Sequence, residues 1–405
     1  MQDRELYEKL LGLEKPWRVS DMRVNFDALK VEIKVEWTEQ TAPCPDCGKM
    51  HPIYDHRQER AWRHLDTMQF ETHLKCRIPR IECPDHGVEV IRAPWAEPYS
   101  RFTQLFERLA IDVLKACSSQ SRAQGLLRLS WDEVHHIQER AVARGLARRK
   151  AEDLPYLAAD EKSFLKGHQY ATILTDTTRS RVLDLCQDRK EESLKNLLES
   201  LEDAQRQSVR AVTIDMWKPY INAVESILPG ADIVHDKFHV SAYLNEAVDK
   251  VRKKENRDLC KNGEGTLKGT KYLWLRSPDN WSDLEKARFK DLRNDGLKVG
   301  RAWAMKEAFS EFWAYVYEKS ARSFFSKWFF WATHSRMKPM IEVAKLLKRH
   351  LERILTYLKH RITNAISESI NSKVQAIKTA ARGFRNFENF RIAVLFHCGK
   401  LELYP

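Results

Sequence analysis

The chain has no long hydrophobic segment. Its most apolar short run, residues 328–332, is far shorter than the roughly 20 apolar residues that a helix needs to cross a bilayer. The first residues, MQDRELYEKLLGLEKPW, include acidic side chains and no apolar core, so they do not form a signal peptide. Low-complexity segments and internal repeats are also missing. These absences predict a cytoplasmic protein with no membrane partner.

Cysteine is sparse as well. Eight cysteines are spread over 405 residues, and only Cys44 and Cys47 form a close pair. A small secreted domain held together by disulfides carries many more cysteines per residue. Scattered cysteines with a single Cys-x-x-Cys pair are typical of a cytosolic protein that binds a metal.

Acidic residues are outnumbered by basic ones. Asp and Glu total 57 against 69 Lys and Arg, which gives a net charge of +12 and a pI near 9.2. This balance favours a polyanionic partner, with nucleic acid first and an acidic membrane surface second. A generic basic protein has the same composition, so charge alone does not decide between them. The missing membrane segment leaves nucleic acid as the preferred partner.

The length of the chain predicts two or three domains. Residues 29–37 alternate apolar and charged side chains, as a half-buried strand does, and residues 1–95 are predicted to form a small β-rich domain. Residues 96–150 carry apolar side chains at helical spacing. From Pro155 onwards, three short strands are followed by helix, strand, helix and strand.

The second half of the chain has a helical pattern. Residues 241–360 hold six of the twelve tryptophans and interrupt the α/β pattern, as an inserted subdomain would. A closing helix is predicted to begin near Asn364. The sequence therefore predicts a multidomain α+β protein in which residues 151–240 and 361–405 form one α/β domain around a helical insertion. The tryptophans of the insertion are interpreted as core, with stacking on unpaired bases as the alternative.

A repeated five-residue pattern predicts a zinc site. Cys44-Pro-Asp-Cys47-Gly and Cys83-Pro-Asp-His86-Gly share their spacing, their Pro-Asp pair and their glycine. Two such turns supply the four ligands of a tetrahedral structural Zn²⁺ site. Substitute ligands are available, but they are interpreted as a strand cysteine and surface polar groups: Cys76, His51, His56, His64 and His73.

Residues 119–145 resemble a helix-turn-helix. Ser130 and Glu133 fit a capping box at the start of the second helix. A recognition helix contacts base edges from its N-terminal half and needs basic side chains for phosphates. A plain helical pair is the alternative. The DNA-binding candidates are Trp131, His135, His136, Arg140, Arg144, Arg148 and Arg149.

Two carboxylates follow apolar strands in the α/β region. Asp160 ends the run 156–159, and Asp215 ends the run 209–214. Neighbouring strands would hold both carboxylates on one rim, where hard oxygen ligands bind Mg²⁺. Two such ions support in-line phosphoryl transfer. Glu161 alternates away from Asp160, so only one of the pair is expected to face the site.

A third carboxylate is available on the closing helix. Its apolar stripe leaves Glu368 on the opposite face, with Lys373 and Lys378 nearby as candidate DNA contacts. Asp236 also ends a strand and is either the reserve ligand or a DNA-contacting position. For each acid taken singly, a strand-end or helix-surface charge is the alternative interpretation.

These segments together resemble the ISL-three family of insertion-sequence transposases. The matching blocks are CPDCG and CPDHG, AADEKSFLKGHQYATILTD, VTIDMWKPY, VHDKFHV, SESINSKVQAIK and GFRNFENF. The resemblance implies a zinc ribbon, a helix-turn-helix and a ribonuclease-H-like catalytic domain with a helical insertion. It places Asp160, Asp215 and Glu368 at the catalytic positions that bind Mg²⁺ or Mn²⁺. The chain departs from the family at His86, where a cysteine is common.

The resemblance also implies a reaction. A bacterial, nucleoid-associated homodimer would bind double-stranded DNA at terminal inverted repeats, free a 3′-OH there and join it to target DNA. Three alternatives remain: a regulator that binds DNA without catalysis, a stand-alone ribonuclease-H-like nuclease, and a zinc-ribbon scaffold that uses the tryptophan-rich block as a partner surface. The three acids argue against the first, and the N-terminal DNA-binding modules argue against the second.

Overall fold

A computed structural model of the protein describes residues 3–117, 119–165, 169–294, 296–362 and 365–405. The chain divides into two compact units. Unit 1 contains the chain up to Arg149 together with Leu401–Pro405, and unit 2 contains Lys150–Lys400. Residues 401–405 were assigned by sequence to the α/β domain, whereas their contacts place them in unit 1. No described helix is long and apolar enough to span a bilayer.

The N-terminal part of unit 1 is rich in β-strands, as predicted. Two four-stranded sheets have the orders β1-β2-β6-β5 and β3-β4-β7-β8. Val31, Ile33 and Val35 point into the core from β2, because the alternation seen in the sequence puts them on one face. The elements are α1 (Asp3–Leu10), β1 (Trp17–Asn25), β2 (Lys30–Trp37), β3 (Thr41–Pro43), β4 (Met50–His56), β5 (Arg60–Thr67), β6 (Phe70–Cys76), β7 (Pro79–Cys83) and β8 (Gly87–Val90).

Three helices complete unit 1: α2 (Gln104–Ala116), α3 (Gln120–Leu127) and α4 (Trp131–Ala147). The predicted capping box is present at the start of α4, where the Ser130 hydroxyl accepts from the Glu133 N–H and the Glu133 carboxylate accepts from the Ser130 N–H. The segment 401–405 packs on these helices. Leu401 lies so close to Gly145 that a β-carbon there would be 2.6 Å from the leucine side chain.

Unit 2 contains a five-stranded sheet of order β11-β10-β9-β12-β13. Strand β10 pairs antiparallel with β11 and with β9, whereas β12 pairs parallel with β9 and with β13. Apolar side chains of α5 and α7 form a core with β9, β11 and β12. The elements are β9 (Tyr156–Leu165), β10 (Gln169–Asp176), β11 (Arg181–Gln187), α5 (Glu191–Glu199), α6 (Asp203–Ser208), β12 (Ala211–Ile214), α7 (Lys218–Ile227) and β13 (Asp232–His235).

After β13, every described element of unit 2 is helical. The predicted start of the closing helix at Asn364 lies outside the described residues, and α15 is described from Ala365. The elements are α8 (Lys237–Lys261), α9 (Lys271–Leu275), a 3-10 turn (Pro278–Asn280), α10 (Asp283–Asn294), α11 (Lys298–Ser310), a second 3-10 turn (Glu311–Ala314), α12 (Glu318–Thr333), α13 (Lys338–Arg349), α14 (Leu351–His360), α15 (Ala365–Ala380) and α16 (Phe387–Cys398).

The tryptophans of this helical region are mainly core residues. Trp274, Trp281 and Trp328 are buried in its hydrophobic core, and Trp303 and Trp313 pack against that core. Trp331 is exposed on α12. The interpretation of the tryptophan-rich block as core therefore holds for five of the six side chains.

Candidate active site and metal centres

Asp160, on the central strand β9 of the sheet in unit 2, lies beside Asp215, which directly follows the neighbouring strand β12. Thr213 of β12 is the parallel partner of Ala158 on β9, so the same register brings Asp215 level with Asp160. Oxygen atoms of the two carboxylates and a ring nitrogen of His239 lie within 4.8 Å of one another. All three side chains are half-buried. The two carboxylates offer hard oxygen ligands, so this group could hold a divalent cation.

The expectation that Asp160 ends its strand is wrong. β9 continues for five residues beyond it, to Leu165, pairing with β10 on one side only. β12 stops at Ile214, and the chain turns into α7. The edge at Asp160 is therefore open because its parallel neighbour ends, not because β9 ends.

His239 is the group that the sequence analysis did not assign. It lies in the first turn of α8, directly after β13, and its Nε2 is 2.5 Å from Oδ1 of Asp215. Burial is the largest single effect and disfavours the charged imidazolium. The hydrogen bond to Asp215 and the negative charges of Asp215, Asp236 and Asp160 together outweigh it, so the pKa of His239 lies above its usual value. The parallel pairing of β12 and β13, which the residue pattern does not reveal, puts the first turn after β13 beside the residue after β12.

Asp236, the reserve ligand, has a structural contact instead. Its carboxylate caps α8 by accepting a hydrogen bond of 3.0 Å from the Phe238 N–H, and the residue is buried. It lies 3.9 Å from His239 and is not part of the group of three ligand atoms among the described residues.

Helix α15 contacts β9 beside the site. The amide of Asn371 donates to Oδ2 of Asp160, and Nζ of Lys378 donates to the Ser163 carbonyl at 2.6 Å. Glu368 lies three residues before Asn371, hence on the same side of the helix. Its side chain is exposed and does not join the group formed by Asp160, Asp215 and His239. Lys373 is also exposed.

The predicted zinc ligands come together in unit 1. The four ligand atoms of Cys44, Cys47, Cys83 and His86 lie within 4.8 Å of one another. Cys47 Sγ is 3.8 Å from Cys83 Sγ, and His86 Nδ1 is 3.7 Å from Cys44 Sγ and 3.5 Å from Cys83 Sγ. A tetrahedral zinc ion with ordinary bond lengths requires separations of about 3.8 Å between sulfurs and about 3.6 Å between sulfur and nitrogen. The four residues fit a tetrahedral ion.

The fold explains why these ligands converge. Each Cys-Pro-Asp turn connects two strands of the sheet β3-β4-β7-β8, and β4 pairs with β7, which places the turns side by side. Gly48 and Gly87 follow the turns with φ of +72° and +77°, a conformation that other residues rarely adopt. Lys49 of one turn pairs with Asp85 of the other at 3.1 Å.

The substitute zinc ligands lie elsewhere. Cys76 is buried on β6, and burial raises the pKa of its thiol to about 12, as expected of a strand cysteine. His64 is not the surface group that was expected. It is buried, with Nδ1 2.9 Å from the Thr103 hydroxyl, because β5 packs against the start of α2. His51, His56 and His73 lie outside the four-ligand cluster.

The candidate DNA-binding residues on α4 have two environments. Trp131 stacks on His135 at 4.9 Å near the start of the helix, and His136 is exposed. Arg140 and Arg144 instead form ion pairs inside unit 1. Their guanidinium groups lie 2.7–3.2 Å from the carboxylates of Glu97 and Glu107.

Towards the end of α4, arginine side chains also donate hydrogen bonds to backbone carbonyls of residues 401–405. Arg148 donates to the Tyr404 carbonyl at 2.6 Å, and Arg144 also donates to the Leu403 carbonyl at 2.5 Å. Arg149 follows the helix. Among the described contacts, the candidates in the N-terminal half of α4 form no ion pairs, whereas Arg140 and Arg144 are held in ion pairs.

Comparison with known proteins agrees with this organisation. Residues 40–86 match the zinc finger of transposases IS204/IS1001/IS1096/IS1165, residues 91–142 match the helix-turn-helix domain of transposase family ISL3, and residues 157–394 match the DDE transposase domain of that family. The three matches cover both candidate metal centres and residues 131–142 of α4.

Two curated relatives are similar over nearly their full lengths. The transposase for insertion sequence element IS1001 from Bordetella parapertussis is 26% identical, across 97% of this chain and 98% of the relative. The transposase for insertion sequence element IS1557 from Mycobacterium tuberculosis (strain CDC 1551 / Oshkosh) is 25% identical, across 95% and 93%. Since the DDE domain match alone spans more than half of its residues, the chain belongs to the ISL3 family of DDE transposases.

Proposed function

We propose that this transposase binds the terminal inverted repeats of its insertion sequence, cuts the phosphodiester at each end and joins the freed 3′-OH to target DNA. The observation that carries the proposal is the group formed by Asp160, Asp215 and His239 at the open edge of the sheet. In a bacterial cell this DNA lies in the nucleoid.

The catalytic domain has the topology of a ribonuclease-H-like fold in this proposal. Across the sheet, the strands follow the order β11-β10-β9-β12-β13, so the strand that comes first in the chain lies in the middle. The pairs β11–β10 and β10–β9 are antiparallel, and the pairs β9–β12 and β12–β13 are parallel. The domain comprises residues 151–240 and 361–400, interrupted by the helical insertion 241–360, while residues 401–405 belong to unit 1. This arrangement places the carboxylates of the first and fourth strands next to each other.

Asp160, Asp215 and Glu368 are the proposed ligands of Mg²⁺ or Mn²⁺. Hard carboxylate oxygens suit these ions, and α15 carries Glu368 on the side of the helix that contacts Asp160. When bound, such ions polarise the phosphate and lower the pKa of water. His239 is either a further ligand or the group that orients Asp215, and its 2.5 Å contact supports both roles.

The protein side chains supply position and charge neutralisation. Asn371 and the Glu161 N–H hold the two oxygens of Asp160, and His239 holds one oxygen of Asp215. In the first step a water oxygen bonds to phosphorus while the bond to the 3′ oxygen breaks and that oxygen takes a proton. In the second step the 3′ oxygen of the element loses its proton and bonds to a phosphorus of the target DNA. The target nucleotide on the 5′ side of that phosphorus leaves with its 3′ oxygen, which takes a proton and becomes a hydroxyl.

DNA recognition is assigned to residues 1–95 and 96–150. Cys44, Cys47, Cys83 and His86 hold a structural zinc ion that fixes the two hairpins. The start of α4 contacts base edges, with Trp131, His135 and His136 as its reading positions, while Lys373 and Lys378 contribute phosphate contacts near the active site. Because two element ends must be held together, the active form is a homodimer.

The test compares three proteins on a labelled duplex that carries the element's own inverted repeat, with Mg²⁺ or Mn²⁺. They are wild type, Asp215→Asn and the control Asp258→Asn, which changes an exposed carboxylate of α8. Wild type and the control should cut and join the end, and Asp215→Asn should bind it without cutting. Equal cutting by all three contradicts the assignment of Asp215. Binding without cutting by all three identifies a regulator.

A further inference from the structure

An aromatic and cationic cluster borders the carboxylates. It consists of Tyr170 on β10, Arg189 before α5 and Trp217 at the start of α7. The guanidinium carbon of Arg189 lies 4.3 Å from the ring centroid of Tyr170 and 5.8 Å from that of Trp217. Arg189 also pairs with Glu161 at 3.0 Å, directly beside Asp160. The cluster is thus built onto the same edge as the active site.

Trp217 presents its indole to solvent from a fixed backbone. It follows Asp215 by two residues, and its carbonyl accepts hydrogen bonds of 3.1 Å from the N–H groups of Tyr220 and Ile221 in the first turn of α7. Met216 before it and Tyr220 after it are buried, whereas Trp217 is 44% exposed. The chain therefore holds a large flat aromatic surface at the mouth of the site that the hydrophobic core does not use.

The surroundings of Trp217 favour an anionic ligand with an aromatic part. Arg189 is nearly half exposed on one side, and Lys218 follows in sequence and is exposed. Unpaired nucleobases stack on such aromatic surfaces, while neighbouring cations contact the phosphates of the same strand. Unstacking a base from a duplex costs free energy, and an external aromatic stacking surface offsets that cost.

The geometry points to Trp217 as the stacking site for one nucleobase unstacked from the DNA beside the scissile phosphate, with Arg189 at the adjoining backbone phosphate. This inference rests on the proposed function, since it takes the DNA end cut at Asp160 and Asp215 as its ligand. In the proposed function the carboxylates act only at the phosphate, and this inference adds a contact between Trp217 and a base.

Removal of the base tests the contact. Duplexes of the inverted repeat carry a single abasic site at each of the three nucleotides on either side of the cut. Binding of each duplex is measured by fluorescence anisotropy without added Mg²⁺ or Mn²⁺, so no cutting occurs. The proteins are wild type, Trp217→Ala, Trp217→Phe and Trp331→Ala. Trp331 is the matched control, an exposed tryptophan on α12 with a similar exposed fraction of 41%.

Wild type and Trp331→Ala should lose about tenfold or more in affinity when the base at one position is removed, which is the usual size of one aromatic stack. Trp217→Ala should bind the intact duplex that much more weakly and lose nothing further at that position. Trp217→Phe, which keeps a smaller ring, should fall between them. The inference is overturned if Trp217→Ala responds to every abasic position as wild type does.

Adding Asp215→Asn to these proteins separates this inference from the proposed function. If Asp215→Asn still cuts the end, the proposed function is contradicted, while the binding of abasic duplexes by wild type and Trp217→Ala can still be compared. Asp215→Asn that binds without cutting, together with a Trp217→Ala that matches the Trp331→Ala control, supports the function and overturns the stacking site.

Discussion

The side-chain amide of Asn371 donates a hydrogen bond to Asp160, joining helix α15 to strand β9 across 211 positions of sequence. This bond fixes the orientation of a proposed metal ligand. Replacing a residue that orients a metal ligand typically reduces metal affinity or activity by about 10- to 100-fold. Asn371→Ala should therefore need more Mg²⁺ for half-maximal cutting of the element end.

The measurement is the initial cutting rate against Mg²⁺ concentration for wild type, Asn371→Ala and Asn371→Asp. The aspartate variant puts a like charge beside Asp160 and should be the more impaired at low Mg²⁺. An unchanged Mg²⁺ dependence in both variants would show that the bond does not act on the metal site.

Glu368→Gln should bind the element end normally and cut it at least about 100-fold more slowly, because an amide is a weak ligand for hard cations. Glu192→Gln, which changes an exposed carboxylate on α5, is the control and should cut normally. Cutting and binding are measured on the same duplex. If Glu368→Gln cuts normally and His239→Ala does not, His239 rather than Glu368 is the third ligand.

Zinc content tests the second metal centre. The protein as purified should contain one zinc ion per chain by elemental analysis, and His86→Ala and Cys47→Ser should lose it together with affinity for the inverted repeat. His86→Cys should keep the ion, since a thiolate completes the same tetrahedron. Cys260→Ser changes an exposed cysteine and should behave as wild type. Full zinc in His86→Ala would exclude His86 as a ligand.

Arg144 should contribute to stability. It is 8% exposed and pairs with Glu107, which is 2% exposed. Without Arg144, Glu107 keeps Arg140 as a partner at 3.2 Å. The expected loss is therefore about 1.5–3 kcal/mol, the contribution of hydrogen bonds to charged groups, and not the roughly 3–5 kcal/mol of a buried charge left alone. Arg144→Ala should lower the free energy of unfolding by this smaller amount in urea titrations. His136→Ala, on the exposed face of the same helix, should leave stability unchanged and weaken DNA binding; the reverse pattern would contradict this division.

His64 should make unit 1 sensitive to acid. Burial, with a smaller effect of the Arg63 charge, lowers the pKa of His64 to about 4, below the value near 6.5 of an unfolded chain. Above pH 6.5 neither state is protonated and stability is unaffected. As the pH falls from 6.5 towards 4, only the unfolded state takes up the proton, so the folded state loses about 2 kcal/mol between pH 7.5 and pH 5.

Urea titrations at these two pH values check the effect. His64→Asn keeps a polar atom facing Thr103 without a titrating ring, so its loss of stability over the same interval should be smaller than that of wild type by about 2 kcal/mol. Equal losses in the two proteins would show that another group is responsible.

Local sequence patterns predicted much of this architecture. The Cys-Pro-Asp turns predicted a metal centre because ligand spacing and turn geometry are properties of five neighbouring residues. Ser130 and Glu133 predicted the start of α4 for the same reason. Alternation along residues 29–37 predicted β2 and its buried face. Asp160 and Asp215 were identified because each follows an apolar run.

Features that depend on distant partners were not predictable in this way. Where β9 ends is decided by its pairing with β10 and by the early end of β12. The burial of Arg144 depends on Glu97 and Glu107, and His64 is buried by the approach of α2. His239 belongs to the site only because β13 lies beside β12. None of these relationships leaves a periodic pattern in the residues themselves.

The packing of residues 401–405 on helices α2 and α4 affects the order in which the protein matures on the ribosome. Leu403 is buried there, and the Tyr404 hydroxyl contacts Asp112 at 2.5 Å. This segment is translated after the whole of unit 2, although it belongs to the unit that is translated first. A nascent chain therefore carries Asp160, Asp215 and Glu368 before residues 401–405 can pack on its helix-turn-helix, so this part of the DNA-binding unit forms only after unit 2 has been synthesised.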